Sequence, residues 1–183
     1  MAKLRPMDQT SLDKLNAGIR DVSDFPEPGI VFKDITPVLG HPELWSIATR
    51  ALIETAGAHK IDKVVGIDAR GFIFGAVVAD RLEAGFVPIR KKGKLPWTTE
   101  GCSYSLEYGF AEVEIHKDAF QPGETVLLVD DLLATGGTAA AAVRLIKSLG
   151  GNLVGASFLI ELAFLDGRSK LESEVPVFSI LTY

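Results

Sequence analysis

One cysteine, Cys102, stands among the 183 residues. That scarcity excludes an internal disulfide and a cysteine-rich zinc site. Histidine is also sparse. His41, His59 and His116 lie far apart without ligand spacing, which argues against a structural transition-metal site. Positive charge is in deficit, with 19 Lys plus Arg against 24 Asp plus Glu and a net charge of −5. Such a chain is a poor general binder of nucleic acid, whose backbone affinity rests on Lys and Arg. A local basic patch can still hold a small phosphorylated ligand. Long apolar runs are missing too. The longest, Gly71 to Ala79, is about half of the roughly 20 residues a membrane span needs. No apolar stretch follows Lys3 and Arg5, so no signal peptide is expected. The chain reads as cytoplasmic, with neither a nucleic-acid nor a membrane partner.

What is present is the ordinary mix of a globular protein, 47% hydrophobic and 23% charged. The length suits a single domain, residues 1–183. Helical and strand-like patterns alternate along it. Ser11 to Ile19 carries Leu12, Leu15 and Ile19 on one helical face. From Pro42 to Ala56, Leu44, Ile47, Ala48, Ala51 and Leu52 recur at the spacing of a helix with one buried stripe. Lys63–Ile67 and Phe86–Arg90 read as strands around a helix over Gly71–Glu83. Val126–Val129 is a buried strand ending at Asp130-Asp131. Gly137–Leu149 is a helix closed by Gly150-Gly151. Asn152–Ile160 and Val177–Leu181 are further strands. Short apolar strands alternating with helices predict an α/β fold, a mostly parallel sheet covered on both faces. Ligands then lie beyond the carboxyl ends of the strands, in the loops after Ile67, Arg90 and Val129. Lys91 to Gly101 interrupts the alternation as a polar loop of the kind that serves as a lid. A half-exposed hairpin is expected beyond it, from the alternation of Leu106, Tyr108 and Phe110 and of Ala111, Val113 and Ile115.

The most informative run is Val126 to Thr138. A buried strand delivers Asp130 and Asp131 to its end. A short loop with Ala134, Thr135, Gly136, Gly137 and Thr138 then opens a helix. N–H groups at a helix start, with hydroxyls, make an anion site. Carboxylates beside a phosphate site make sense if the ligand also carries vicinal hydroxyls, as a ribose 5-phosphate does. No Gly-Lys-Ser/Thr and no G-x-G-x-x-G accompanies the loop, so neither the ATPase P-loop nor the dinucleotide fingerprint applies. Other segments are less telling alone. Asp68-Ala69-Arg70-Gly71 describes an anion-facing loop or a plain helix start with a surface Arg. Arg90, Lys91, Lys92 and Lys94 describe pyrophosphate ligands or a solvated charged loop. Phe32 could be a core aromatic, and Glu107 an exposed strand Glu.

The Val126–Thr138 run is similar to the ribose-phosphate motif of the type I phosphoribosyltransferases. Three further segments resemble the adenine-using branch of that family: Phe25-Pro26-Glu27-Pro28-Gly29-Ile30-Val31-Phe32-Lys33-Asp34-Ile35-Thr36-Pro37, Gly66-Ile67-Asp68-Ala69-Arg70-Gly71-Phe72-Ile73-Phe74-Gly75 and Tyr104-Ser105-Leu106-Glu107-Tyr108-Gly109. With Arg90-Lys91-Lys92-Gly93-Lys94-Leu95-Pro96, the resemblance spans Phe25 to Leu162.

It implies a central parallel sheet flanked by helices, a small N-terminal hood (about 1–40) and a mobile active-site loop with hairpin (about 91–110). It implies transfer of a 5-phosphoribosyl group from phosphoribosyl pyrophosphate (PRPP) to adenine, giving AMP and pyrophosphate, with Mg²⁺ carried by the substrate near Asp130 and Asp131. Asp68, Ala69, Arg70, Arg90 and Lys94 are then pyrophosphate ligands, with a non-proline cis bond in the Asp68 loop and Arg90 reaching a neighbouring subunit. Val31, Phe32, Lys33, Leu132 and Leu162 surround the base. Glu107 handles the base proton, with Arg70 and Lys94 as its catalytic companions, and Tyr104 and Tyr108 pack the lid. A homodimer is implied. Two positions depart from the pattern: Lys33 stands where relatives commonly carry Arg, and Ala69 where some carry Ser. Trp97 to Glu100 matches no motif. The alternatives are a hypoxanthine-guanine or xanthine enzyme, or a non-catalytic PRPP-sensing regulator. The regulator is disfavoured by the acidic charge and by the lack of room for a DNA-binding domain.

Overall fold

The computed structural model describes residues 7–105, 110–171 and 173–183. Helix α1 (Gln9–Ala17) leads into a two-stranded antiparallel sheet of β1 (Arg20–Ser23) and β2 (Val31–Asp34). Helices α2 (Thr36–Gly40) and α3 (Pro42–Glu54) precede β3 (Lys63–Ile67), α4 (Arg70–Arg81) and β4 (Gly85–Lys91). Strands β5 (Thr99–Ser105) and β6 (Phe110–His116) pair antiparallel. Then follow β7 (Thr125–Leu133), α5 (Gly137–Ser148), β8 (Asn152–Glu161), two short 3₁₀ turns and β9 (Val177–Thr182).

Seven strands form one sheet in the order β5-β6-β4-β3-β7-β8-β9. The five from β4 to β9 run parallel, and β6 and β5 are added antiparallel at one edge. Period-2 alternation splits the apolar runs between two core layers. Val65, Ile67, Val126 and Leu128 join the layer under α5. Val64, Leu127 and Val129 join the layer under α3 and α4. Each fully buried leucine here stabilises the fold by about 1.5–3 kcal/mol. The α3 stripe behaves as its spacing requires: Ile47, Ala48, Ala51 and Leu52 are buried. Helix α5 ends in a Schellman turn, with Gly150 N–H on the Lys147 carbonyl and Gly151 N–H on that of Ile146.

Three expectations are corrected. Strand β7 does not end at Val129; it continues to Leu133, because Asp130, Leu132 and Leu133 pair with Phe158, Ile160 and Glu161 of β8. The two aspartates therefore sit on a strand and line one cavity. The loop expected over Lys91–Gly101 is shorter, because Thr99–Gly101 already pair with β6. Strand β5 spans Thr99–Ser105, and the alternation expected through Leu106 and Tyr108 lies outside the described residues; Glu114 is buried rather than exposed, accepting the Gly93 N–H at 3.0 Å. Residues 31–34, which show no strand alternation, form β2 through pairing with β1.

The order of winding reverses at β3, with the strands still parallel. From β3 the chain crosses to β4 on one side; β7 lies on the other side and leads on to β8. The carboxyl ends of β3 and β7 therefore open side by side at a topological switch point, where α/β sheets bind ligands.

Candidate functional site

A cavity of about 260 Å³ lies at that switch point, lined by residues 67–70 and 130–139. Helices α4 and α5 both start on it. Neither has a side-chain cap, whereas α1 and α3, elsewhere, are capped by Asp8 and His41. The first N–H groups of α4 and α5 are thus left for a ligand, and the helix dipoles favour an anion there. Gly136, the cap residue of α5, has φ 76°. A Cβ on it would lie 2.3 Å from the Gly167 carbonyl oxygen, so both conformation and space require glycine.

Opposite these donors stand the carboxylates. Arg70 Nε lies 2.7 Å from Asp131 Oδ2, and the Asp131 N–H donates to Asp130 Oδ1 at 2.9 Å. Burial pushes the Asp130 carboxyl well above the usual range, and the neighbouring Asp131 charge pushes it further. Burial also raises Asp131, and Arg70 opposes that rise. Gly71 gives Asp130 its room: a Cβ at position 71 would meet Asp130 Oδ1 at 2.4 Å.

The Asp68–Ala69 peptide is cis. Asp68 accepts from Arg90 Nε at 3.0 Å, and Arg90 Nη1 donates to the Lys94 carbonyl at 3.0 Å. The charged run therefore divides. Arg90 is tied to the Asp68 loop of its own chain, Lys92 pairs with Glu112 at 2.8 Å, and Lys94 is exposed. Lys94 and Arg90 do not line the cavity.

Strand β2 reaches the site through Phe32, whose ring has the Arg70 guanidinium 5.4 Å from its centroid and the Phe25 ring edge-on at 5.2 Å. Lys33, one residue on, faces the other way. It pairs with Asp21 at 2.6 Å and lies over the Tyr183 ring at 4.0 Å. The structure thus separates Lys33 from the Phe32 face, where it had been expected to join the base pocket. Leu132 lines the cavity, and the Leu162 N–H bonds to the Leu133 carbonyl beside it at 2.9 Å. The Val31 side chain is half exposed. Tyr104 packs half-buried on the core layer under α5. Glu107 and Tyr108 lie outside the described residues.

The sequence reading missed the segment that backs the loop. Gly167 packs on Ala134 and Gly136, and Lys170 Nζ donates to the Thr135 carbonyl at 2.7 Å. No spacing rule connects positions 35 residues apart, so a single sequence carries no signal for this contact.

Two anion-ready helix starts beside paired carboxylates can grip a sugar phosphate by its oxyanions and its diol together. Fold and site define a phosphoribosyl transferase domain, and the family model of that description matches residues 37–180. An adenine phosphoribosyltransferase of Rhizobium leguminosarum bv. trifolii is 54% identical over 91% of this chain and 92% of its own length. That of Acidothermus cellulolyticus is 58% identical over 87% and 90%. The crystal structure of the Rhodothermus marinus enzyme superposes with a TM-score of 0.91 at 56% identity, covering 96% of this chain and 100% of that one. The chain belongs to the adenine phosphoribosyltransferase family.

Proposed function

We propose that this protein transfers the 5-phosphoribosyl group of PRPP to adenine, releasing AMP and pyrophosphate, as an enzyme of purine salvage. The observation that carries the reading is the single cavity joining the Asp130–Asp131 pair to the uncapped start of α5. The Saccharomyces cerevisiae adenine phosphoribosyltransferase, 41% identical with a TM-score of 0.89 over 94% of this chain and 99% of that one, was crystallised with adenine and an imino-altritol bisphosphate.

Residues 134–138 hold the 5-phosphate and fix the sugar for attack. Asp130 and Asp131 accept hydrogen bonds from the ribose hydroxyls. By analogy with glycoside cleavage, the anomeric carbon gains oxocarbenium character as its bond to pyrophosphate breaks. Charge grows on the departing pyrophosphate, and the Asp68–Arg70 loop, Arg70 itself and Lys94 stabilise it. The Arg90 guanidinium, held by Asp68, steadies that loop from within its own chain. Among the described residues no group of three or more His, Cys, Asp or Glu could hold a metal. Two adjacent carboxylates fit a hard cation that arrives on the substrate and keeps most of its waters. Mg²⁺ near Asp130 and Asp131 would supply positive charge to the pyrophosphate oxygens.

Phe32 stacks on the purine. The Val31 backbone meets the base edge, its carbonyl accepting from the adenine amino group, while Leu132 and Leu162 form the walls. An acceptor covered by the bound base and facing that amino group repels an oxo group, which discriminates against hypoxanthine and guanine. Glu107 manages the proton of the attacking nitrogen, and closure of the 91–110 segment, with Tyr104 and Tyr108, excludes water. Residues 1–40 cover the base. The working form is a cytoplasmic homodimer; among the described residues no helix is long and apolar enough to cross a membrane.

Incubation with labelled adenine, PRPP and Mg²⁺, with hypoxanthine, guanine or xanthine as competitors, tests the reading. AMP formation faster than any other nucleotide is expected. Faster turnover of hypoxanthine would overturn the base assignment. Tight PRPP binding without pyrophosphate release would favour a regulator.

A further inference from the structure

We infer that Lys170 is a positioning residue for the sugar-phosphate loop: it holds the Thr135 carbonyl turned back, so that the loop meets the phosphate with donors only. The inference rests on the transferase reading and assigns work to a segment outside the cavity lining.

Three observations carry it. Lys170 Nζ donates to the Thr135 carbonyl at 2.7 Å, across 35 residues of chain. The segment that bears Lys170 is itself anchored. Arg168 donates to both carboxylate oxygens of Glu161, at 2.9 and 2.5 Å, to the Val177 carbonyl at 2.8 Å and to Ser179 Oγ at 3.0 Å. Glu161 is buried at the end of β8, and the other two acceptors lie on β9. The sheet therefore holds the base of the Lys170 arm. Finally, Gly167 presses on the loop so closely that a Cβ there would lie 2.0 Å from the Ala134 carbonyl oxygen. The loop cannot retreat in that direction.

The consequence follows from peptide geometry. In a trans peptide the carbonyl and the N–H of one plane point opposite ways. The Thr135–Gly136 unit is flanked by a glycine that tolerates either hand, so its plane flips at little conformational cost. Flipped, it would turn the negative end of its dipole toward the phosphate. An ammonium-to-carbonyl bond is charge-assisted and stronger than a neutral one, and it opposes that flip.

Lys170 could instead act only as a nearby positive charge, and substitution separates the two. Lys170→Met removes both charge and donor, Lys170→Gln keeps a donor alone, and Lys170→Arg keeps both. The readouts are steady-state kinetics and calorimetric binding of ribose 5-phosphate and AMP, with thermal melts confirming that each variant is folded. For Lys170→Met, KM for PRPP and Kd for ribose 5-phosphate should rise about three- to tenfold, the scale of one solvent-exposed hydrogen bond from a charged donor. KM for adenine should hold, and kcat should change less than about threefold, because the phosphate is gripped alike in ground and transition states. Lys170→Gln and Lys170→Arg should recover most of the loss. Parent-like phosphate binding by Lys170→Met overturns the inference, and so does a Lys170→Gln variant as weak as Lys170→Met. A parent protein that binds ribose 5-phosphate but makes no AMP defeats the transferase reading alone, since the binding series still decides the role of Lys170.

Discussion

Gly136→Ala probes the anion loop most directly. The residue has φ 76°, where a Cβ costs about 1–2 kcal/mol. The added carbon would also stand 2.3 Å from the Gly167 oxygen, with Gly167 C and Cα at 3.0 Å. All three are backbone atoms, so the loop itself must move. Overpacking of this kind adds about 1–3 kcal/mol, giving a total near 2–5 kcal/mol. Gly123→Ala is the matched control. Its φ is 83° and nothing lies within 4 Å of the added carbon, so only the conformational part applies. Urea unfolding should therefore separate the two variants by at least about 1 kcal/mol. Kinetics should separate them further. A loop displaced by the order of 1 Å loses about 10² in rate, whereas Gly123→Ala should match the parent. If Gly136→Ala keeps parental kcat and KM for PRPP and unfolds no earlier than Gly123→Ala, the close packing of loop on segment is not what shapes the site.

Three further outcomes are expected. Asp130→Asn should lose PRPP turnover yet gain stability without ligand at neutral pH. The folded carboxyl is held above its unfolded value, so its contribution is full below the unfolded pKa and lost as pH rises through the folded one; thermal melts at pH 4 and pH 8 check that the variant's advantage appears only at the higher pH. Glu161→Gln should destabilise by about 1–3 kcal/mol at pH 7, because it removes the negative charge and one of the two carboxylate acceptors that face the Arg168 guanidinium. Arg168 lowers the Glu161 pKa, so this deficit should shrink as pH falls through the folded value, which urea titrations at pH 7 and pH 3 would show. Phe32→Ala should raise KM for adenine about tenfold or more, the scale of lost base stacking, and leave KM for PRPP near the parent; equal rises in both would place Phe32 in the Arg70 contact alone.

Much of the architecture was legible because its signals are local. The runs Val64–Ile67 and Val126–Val129 are apolar on both faces, which only a strand covered on two sides requires. The α3 stripe and the Gly150-Gly151 stop of α5 each lie within the turns of their own helix. The Asp130–Thr138 run carries carboxylates, glycines and hydroxyls in one short stretch, so its chemistry shows without a fold. Strand β5, Thr-Glu-Gly-Cys-Ser-Tyr-Ser, has no such signal. It is a strand because β6 offers it a ladder, and the same pairing shortens the loop before it.

The sequence alone marked the apolar strands, the buried stripe of α3, the stop of α5 and the Asp130–Thr138 run as the candidate anion loop, since each depends on neighbours along the chain. Only the tertiary structure decided that Asp131 meets Arg70, that Lys33 turns from Phe32 toward Asp21 and Tyr183, and that Gly167 and Lys170 brace Thr135 and its neighbours. Those outcomes depend on how the sheet stacks distant segments within a few ångströms, a distance no spacing along the chain encodes.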